Sequence, residues 1–279
     1  MPESKRSQAV LLTGAAGGFG VAVTRALLER GVTVYAGVRA EPPAALAGAV
    51  PITLDVTRTD SVLAAAKEIA AREGDGGLHA VVNNAGVIVQ GPLELVPESE
   101  WLRQFDVNVH GPVRVTQAFL PLLRQGGGRV VNISAPAARV AVPFAAPMSA
   151  SKAALASLSD AARLELAPWG VPVVQVEPGG SSTEIFAKAE AASARALASL
   201  DPERVAPYRS ALDAMAAASA RQKLDPVEKA VGAIVAAVLD RRPKTHYVAG
   251  NARIFAVLAR LPRGARDRVL VRALGLPRA

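Results

Sequence analysis

The segment Thr13-Gly14-Ala15-Ala16-Gly17-Gly18-Phe19-Gly20 decides the fold. The apolar run from Ala9 to Thr13 before it predicts a buried strand, and the residues from Val21 to Glu29 have helical character. Glycines let the backbone turn tightly and approach a phosphate without a Cβ clash, and the start of a helix offers free N–H groups. A glycine cluster alone is also typical of an ordinary strand-to-helix turn. Because a strand precedes it and a helix follows it, the segment predicts a dinucleotide-binding loop.

Runs of β-forming residues alternate with helical segments along the rest of the chain. Further strands are predicted at residues 32–38, 50–54, 78–82, 129–133, 173–176 and 245–248, and a long helix at 101–123 with a bend near Pro112. This alternation predicts an α/β fold: a Rossmann-type doubly wound parallel sheet of about seven strands with helices on both faces. Residues 181–224 are Ala-rich and helical and predict a substrate lid, and residues 252–279 a basic helical tail. With no linker and no repeat, residues 1–279 are expected to form a single dinucleotide-binding domain.

Composition narrows the class of protein. The chain has no cysteine, which excludes disulfide scaffolds and thiolate metal sites, and its three histidines lack metal-ligand spacing, so no metal site is expected. The polar start lacks a signal-peptide pattern and no apolar stretch is long enough for a membrane span, so a cytoplasmic protein is expected. The net charge of +8 comes with no nucleic-acid-binding module, so no nucleic-acid partner is expected. We expect the tail to pack on the domain or on a partner subunit, because Pro262 and Gly264 interrupt its helical pattern. The alternative is that it lies on a membrane surface as an amphipathic helix.

Five motifs in order make the sequence resemble the short-chain dehydrogenase/reductase family over about residues 8 to 250. They are the glycine loop at Thr13, Gly14, Gly18 and Gly20, the Asp-Val pair at Asp55 and Val56, Asn-Asn-Ala-Gly at residues 83–86, Asn-Val-x-Gly at residues 108–111, and Pro-Gly-x-x-x-Thr at Pro178, Gly179 and Thr183. The Arg- and Leu-rich end of the chain, after Tyr247-Val248-Ala249-Gly250, looks like the branch related to 17β-hydroxysteroid dehydrogenases. The family also implies a homo-oligomer, a dimer or a tetramer.

The resemblance implies a set of cofactor contacts. These are Thr13, Gly14, Gly18, Phe19, Gly20, Asp55, Val56, Asn84, Ala85, Gly86, Lys152, Pro178, Gly179 and Thr183. NAD-preferring members end the second strand with an acidic residue that takes the ribose hydroxyls. Here that strand ends at Arg39, which can pair with a 2′-phosphate, so NADP(H) is predicted over NAD(H). The alternative is that Arg39 is a solvated surface residue.

The family's catalytic set of Asn, Ser, Tyr and Lys is only half matched. Asn108 and Lys152 are in place, but Met148 stands four residues before Lys152, where the family has its tyrosine. The serine position, thirteen residues before that, is Ala135. A gap of one residue restores the neighbouring Ser134, but no gap restores the tyrosine. We therefore expect Asn108, Lys152 and Ser134 to be the catalytic residues.

Three functions remain open from the sequence. The first is an NADP(H)-dependent oxidoreductase of ketoreductase type with another proton donor, for which His110, Ser134, Ser149 and Tyr208 are the candidates. The second is a non-redox cyclase or isomerase in the same pocket, and the third a protein that binds the dinucleotide without turnover. Small and apolar residues predict a pocket for a bulky hydrophobic substrate such as a polycyclic ketone. Its expected lining residues are Gln90, Ala135, Met148 and Tyr208.

Overall fold

A computed structural model describes residues 8–181 and 183–277. The polar start of the chain, residue 182 of the predicted lid and the last two residues of the predicted tail lie outside this part. The strands are β1 (Ala9–Thr13), β2 (Thr33–Val38), β3 (Val50–Thr53), β4 (Ala80–Asn83), β5 (Arg129–Ile133), β6 (Val173–Pro178) and β7 (His246–Ala249). The helices are α1 (Gly18–Leu28), α2 (Thr59–Glu73), α3 (Glu98–Phe105), α4 (Gly111–Gly126), α5 (Ala146–Leu166), α6 (Glu184–Ala198), α7 (Pro202–Val205), α8 (Arg209–Arg221), α9 (Val227–Leu239), α10 (Ala252–Leu258) and α11 (Arg263–Leu274).

The strands form one parallel sheet in the order β3-β2-β1-β4-β5-β6-β7. The fold predicted from the alternating pattern is therefore confirmed. The strand order reverses direction between β1 and β4, and ligands of such sheets bind at the carboxyl ends of the strands beside this reversal. The glycine loop follows β1 and the Asn-Asn-Ala-Gly motif overlaps the end of β4, so both lie at this point.

The sheet is covered on both faces because successive side chains of a strand point to opposite sides. Leu11 of β1 belongs to a core with α2 and α4, including Phe119. The next residue, Leu12, belongs to a second core with α1 and α9, including Ile234. All four side chains are fully buried. This two-sided burial fixes the loops at the carboxyl edge on a rigid base.

A single π-helical turn, Asp106–His110, joins α3 to α4. The sequence predicted one long helix with a bend near Pro112, and the structure puts the irregular turn just before that proline. Pro112 is the second residue of α4, where a missing N–H costs little. The turn contains Asn108, which is 1% exposed.

The predicted lid contains α6, α7 and α8. Its two ends are held together by a parallel bridge between Ser181 and Asp225. In the predicted tail, α10 packs against β7, and α11 packs against α8 of the lid. Ile254 and Val257 of α10 stay more than half exposed. Of the helices in the described ranges, none is both long and apolar enough to cross a membrane.

Candidate dinucleotide and substrate site

The glycine loop packs tightly against the residues that follow β4. Gly14 has a φ of 63°, and a Cβ atom there would lie 2.8 Å from the Cα atom of Ala85. A Cβ atom on Gly20 would lie 2.5 Å from the carbonyl oxygen of Ala15. Helix α1 begins after Gly17 with no side-chain cap and no acidic residue in its first turn. Its first N–H groups therefore suit an anion such as a pyrophosphate.

Thr13 and Asn84 tie the ends of β1 and β4 together. The Thr13 hydroxyl oxygen accepts hydrogen bonds from the N–H groups of Asn84 and Ala85, both at 3.0 Å. The Asn84 side-chain amide donates to the carbonyl oxygens of Thr13 and Gly14 at 3.0 and 3.1 Å. Thr13 is 1% exposed, so its side chain stabilises the loop through these buried hydrogen bonds.

An open cleft of about 540 Å³ runs along this edge of the sheet. Most of the predicted cofactor contacts line it: Gly14, Gly18, Phe19, Arg39, Asp55, Val56, Asn84, Ala85, Gly86 and Thr183. Thr57, Arg103, Val107 and Lys188 line it as well and were missed, because no motif marks them and only tertiary packing places them there. Gly20, Pro178, Gly179 and Lys152, which were also expected to contact the cofactor, do not line the cleft. Gly20 packs on the loop itself, and a Cβ atom on Gly179 would collide with Asn251.

Arg39 and Asp55 lie at one end of the cleft. The Asp55 carboxylate accepts hydrogen bonds from the amide and hydroxyl of Thr57 at 2.9 and 2.7 Å. Burial acts to raise the pKa of Asp55, but these two bonds and the charges of Arg39 and Arg58 outweigh it and hold the pKa below its usual value. Arg39 is exposed, and its guanidinium forms no hydrogen bond to any described residue. It is therefore available to an anionic group on a ligand.

Asn108 and Gln104 hold the loop after β4 from one helix face. The Asn108 side chain accepts a hydrogen bond from the N–H of Val87 and donates to its carbonyl oxygen, both at 2.9 Å. Gln104 accepts from the N–H of Val89 at 2.7 Å and donates to the carbonyl oxygen of Val87 at 2.9 Å and to the Ser151 hydroxyl at 3.1 Å. Sequence reasoning missed Gln104, because no motif marks it and its partners come from other segments of the chain.

A buried polar chain fixes the position of α5. The Asn83 amide donates to the Asn132 side-chain oxygen, and the Asn132 amide donates to the Ser159 hydroxyl, both at 2.8 Å. These bonds join β4, β5 and α5, and all three residues are at most 3% exposed. Since α5 carries Met148 and Lys152, this chain also sets where those two side chains lie.

Lys152 lies one helical turn after Met148 on α5. Its ammonium group donates to the carbonyl oxygen of Ile133 at 2.7 Å. Burial lowers the pKa of Lys152 to about 8. Ala135 lies two residues after Ile133, on the loop that follows β5, and is 7% exposed. Between the two, the Ser134 hydroxyl is buried and has no hydrogen-bond partner among the described residues.

The other predicted donors and pocket residues are scattered. Tyr208, expected in the substrate pocket, instead donates a hydrogen bond to Glu94 at 2.6 Å on the outer side of the lid, and it lines neither cavity described in this subsection. Tyr208 ends a short 3₁₀ turn before α8, and its bond to Glu94 turns it toward the β4–α3 loop. Ala135 and Met148 line neither cavity either, so of the four expected lining residues Gln90 alone lines one of these two cavities. The Ser149 hydroxyl is buried and accepts from the N–H of Val142 at 3.1 Å. The His110 side chain is 61% exposed and faces Asp106.

Gln90 lines a second cavity, of about 390 Å³, between α3, α6 and the loop after β4. The two cavities share Ile88, Arg103, Ala189 and Ala192, so this cavity continues the cleft. Most of its lining is apolar, with Leu95, Val96 and Leu197 among the side chains. The bond from the N–H of Gly91 to the carbonyl oxygen of Phe144, at 2.8 Å, joins its wall to the loop before Met148.

The residues of the cleft fit a nicotinamide dinucleotide. Thr183 lies against the glycine loop, with its Cβ 3.0 Å from where a Cβ on Gly18 would be. Its hydroxyl oxygen is buried and has no partner among the described residues, so it is an unsatisfied polar group beside the loop. The uncapped start of α1, Thr183 and Arg39, whose guanidinium has no hydrogen-bond partner in the described part of the chain, lie along one cleft.

Comparison with known proteins agrees with this geometry. The family model for short chain dehydrogenase matches residues 8–194. Estradiol 17-beta-dehydrogenase 2 of Rattus norvegicus is 41% identical over 189 residues, which cover 64% of this chain and 49% of that protein, so the chain spans about half of that relative's length. NADPH-dependent 3-dehydrocapnine reductase of Ornithobacterium rhinotracheale is 32% identical over 278 residues, with 95% of this chain and 96% of that protein covered.

Among solved structures, a short chain dehydrogenase from Burkholderia cenocepacia J2315 in complex with NADP is similar, with a TM-score of 0.75 and 29% identity over 95% of this chain and 98% of that chain. The resemblance predicted from the ordered motifs is thus confirmed. With this parallel sheet, its glycine loop and the match over two thirds of its length, the chain belongs to the short-chain dehydrogenase family and has relatives among the 17β-hydroxysteroid dehydrogenases.

Proposed function

We propose that this chain is an NADP(H)-dependent oxidoreductase of ketoreductase type that acts on a bulky hydrophobic carbonyl or hydroxyl compound without the family tyrosine. The observation that carries the proposal is Lys152, a partly buried residue whose ammonium group donates to the carbonyl oxygen of Ile133 at 2.7 Å. A lowered lysine pKa means that burial destabilises the charged form in the folded protein. Groups whose pKa is perturbed in this way cluster at functional sites.

The chain's own residues would hold the cofactor as follows. The N–H groups at the start of α1 bind the pyrophosphate, and Arg39 pairs with the 2′-phosphate. Asp55 and Val56 contact the adenine, and Lys152 and Thr183 contact the nicotinamide half, as in the family. The bound nicotinamide supplies the hydride. A relative described as NADPH-dependent and a similar structure in complex with NADP support the choice of NADP(H).

The unusual feature of the proposed enzyme is its proton supply. Met148 has no proton to give, and Ala135 cannot hydrogen-bond a carbonyl oxygen through its side chain. General acid catalysis contributes about a hundred- to ten-thousand-fold, so a reduction without it is slower but still feasible. Met148 also replaces a hydrogen-bonding side chain by an apolar one, whose thioether adapts to irregular apolar space. The second, mostly apolar cavity beside Gln90 supports a hydrophobic substrate.

A second candidate function is favoured by the same two substitutions. A pocket that keeps its dinucleotide cleft but has Met148 and Ala135 at the reacting end suits a non-redox cyclase or isomerase. There the shaped cavity would accelerate a unimolecular step by holding one conformer. A protein that only binds the dinucleotide has the same cleft and differs in showing no turnover.

Calorimetric titration of the full chain with NADPH and NADH, followed by hydride turnover on polycyclic ketones, tests the proposal. We expect tight NADPH binding and slow turnover by the wild type. If NADPH binds and only Met148→Tyr turns over, the non-redox function takes its place. If neither dinucleotide binds at millimolar concentration, the proposed cofactor site is wrong. Light scattering on the same samples tests the expected homo-oligomer.

A further inference from the structure

We propose that the natural substrate brings its own acid: a phenol or enol hydroxyl that is hydrogen-bonded within the substrate to the carbonyl oxygen being reduced. The inference rests on the proposed function and names the substrate class of that same site. It follows from where the hydroxyl and ammonium groups around Met148 are placed. Each of the hydroxyl groups is buried, engaged or turned away, and the Lys152 ammonium group, which has one N–H bonded to the carbonyl oxygen of Ile133, is assigned to charge stabilisation.

Three serines lie near the reacting end of the pocket, and all are buried. Ser134, Ser149 and Ser151 are 3%, 4% and 0% exposed. The Ser151 hydroxyl donates to the carbonyl oxygen of Met148 at 2.9 Å and accepts from Gln104 at 3.1 Å. The Ser134 hydroxyl oxygen is closed off from solvent and from the cleft. A substrate in the cleft cannot take a proton directly from a sealed hydroxyl.

The two remaining candidates from the sequence are remote. Tyr208 donates its proton to Glu94 on the outside of the lid, and that hydrogen bond raises the pKa of Tyr208. His110 is mostly exposed on the far side of the π-helical turn from the loop that Asn108 holds. Neither side chain reaches a carbonyl group bound beside Met148 without a rearrangement of its element.

Lys152 is then suited to stabilise an anion. One of its three N–H bonds goes to the carbonyl oxygen of Ile133. An ammonium group that is largely removed from solvent attracts a negative charge more strongly than it would in water. A substrate that becomes a phenolate or enolate during the reaction would place such a charge there. The pKa of Lys152 near 8 keeps most of this group protonated at neutral pH.

The reaction balances with the cofactor of the proposed function as reductant. The carbonyl carbon accepts a hydride from the reduced nicotinamide, and a C–H bond forms. The π electron pair of the carbonyl moves to its oxygen, which takes the proton of the neighbouring hydroxyl along the existing hydrogen bond. That O–H bond breaks and leaves a phenolate or enolate beside Lys152. The anion takes a proton from solvent as the product alcohol leaves.

A matched set of small ketones tests the inference. In 8-hydroxy-1-tetralone the hydroxyl is hydrogen-bonded to the carbonyl oxygen, in 8-methoxy-1-tetralone that proton is gone, and in 6-hydroxy-1-tetralone the hydroxyl is out of reach. With the full chain and NADPH, we expect kcat/KM for the 8-hydroxy ketone to exceed both others by about a hundredfold or more, the typical size of a general-acid contribution.

The variant Met148→Tyr supplies a proton from the protein and removes the dependence. For this variant we expect the ratio of kcat/KM between the 8-hydroxy and 8-methoxy ketones to fall to within about tenfold, mainly because kcat/KM for the 8-methoxy ketone rises. Met148→Phe has a ring of the same size without the hydroxyl and should keep the wild-type ratio. Intrinsic differences in electrophilicity between the ketones cancel in this comparison.

A binding readout accompanies the kinetics. The absorbance of 8-hydroxy-1-tetralone, titrated with pH in the presence of the chain and NADP⁺, should show a phenol pKa lowered on binding in wild type and not in Lys152→Met. Equal reduction of the 8-hydroxy and 8-methoxy ketones by the wild type overturns the inference and leaves the proposed function standing. NADPH-bound wild type that reduces none of the ketones also overturns it, whereas failure to bind NADPH overturns the proposed function itself.

Discussion

Lys152 donates a hydrogen bond from its ammonium group to the carbonyl oxygen of Ile133 at 2.7 Å, which ties α5 to the end of β5. The contact places a positive charge at the carboxyl edge of the sheet. Burial is the cause that lowers the pKa of Lys152 from 10.5 to about 8. Since no carboxylate in the described part of the chain offsets this effect, the folded protein holds the charge at a cost in stability.

The cost should appear in the pH dependence of unfolding. Below pH 8 the folded and unfolded states both bind the proton, and the folded state bears the full penalty. Between about pH 8 and 10.5 only the unfolded state binds it, so stability rises with pH through this window. Because part of the side chain stays accessible, we expect Lys152→Met to be more stable than wild type by about 1–2 kcal/mol at pH 7.

Urea unfolding of both proteins from pH 7 to 10.5 measures this difference, which should shrink toward the upper end. Lys67→Met, at an exposed position on α2, reports the general effect of removing one positive charge. A constant difference between wild type and Lys152→Met across this range would contradict the buried-charge explanation.

Gly14 and Gly31 form a matched pair for the glycine loop. Both have positive φ angles, 63° and 72°, but a Cβ atom on Gly14 would lie 2.8 Å from the Cα atom of Ala85, while one on Gly31 meets nothing within 4 Å. Gly31→Ala should cost about 1 kcal/mol, the price of a left-handed alanine. Gly14→Ala must also displace the loop after β4, so we expect a loss of about 2–4 kcal/mol.

Thermal or urea unfolding compares the two variants, and calorimetry with NADPH compares their binding. We expect Gly14→Ala to weaken binding at least tenfold and Gly31→Ala to leave it unchanged. If the two variants lose the same stability and affinity, the close approach to Ala85 has no energetic role.

The sequence predicted the features that local pattern determines. The run of apolar residues before Gly14 and the helical run after it are sufficient to place β1 and α1, because periodicity and glycine conformation act over a few residues. The position of Arg39 at the end of β2 likewise placed it at the rim of the cleft.

Features that depend on distant contacts could not be predicted. Tyr208 was expected in the pocket, but it bonds to Glu94, more than a hundred residues away in sequence, and no local pattern records that contact. Gln104 is fully buried because its partners, Val89 and Ser151, come from two other segments. A polar residue on a helix is ordinarily solvated, so its sequence neighbourhood gave no reason to bury it.

Arg39 should determine which dinucleotide binds. A hydrogen bond to a charged group contributes about 1.5–3 kcal/mol, which corresponds to roughly ten- to a hundredfold in affinity. We therefore expect Arg39→Gln to raise the Kd for NADPH by that factor and to leave the Kd for NADH nearly unchanged. Calorimetric titration with both dinucleotides measures the two constants.

Arg58→Gln is the control for this prediction. Arg58 also acts on the Asp55 carboxylate, but it pairs with Asp60 at 2.7 Å, away from the cleft. The Arg58→Gln variant should bind both dinucleotides with the affinity of the wild type. A loss of affinity for NADPH and NADH to the same extent in Arg39→Gln would mean that Arg39 does not contact the 2′-phosphate.

Gln104 should stabilise the site far more than its position on a helix suggests. Replacing it by methionine, which has a similar length, leaves the buried N–H of Val89 without its partner, whereas the carbonyl oxygen of Val87 keeps its bond from Asn108. A buried group left unpaired costs about 1–3 kcal/mol, so we expect Gln104→Met to lose about 1–3 kcal/mol in urea unfolding. Gln125→Met, where an exposed side chain of α4 loses one bond to Gly74, should lose less than about 0.5 kcal/mol.

Hydrogen exchange separates a local effect from a global one. If Gln104 holds this loop, the Val89 amide should exchange faster in Gln104→Met under native conditions while the amides of β1 keep their protection, and uniform loss of protection across both would assign Gln104 to the general core instead.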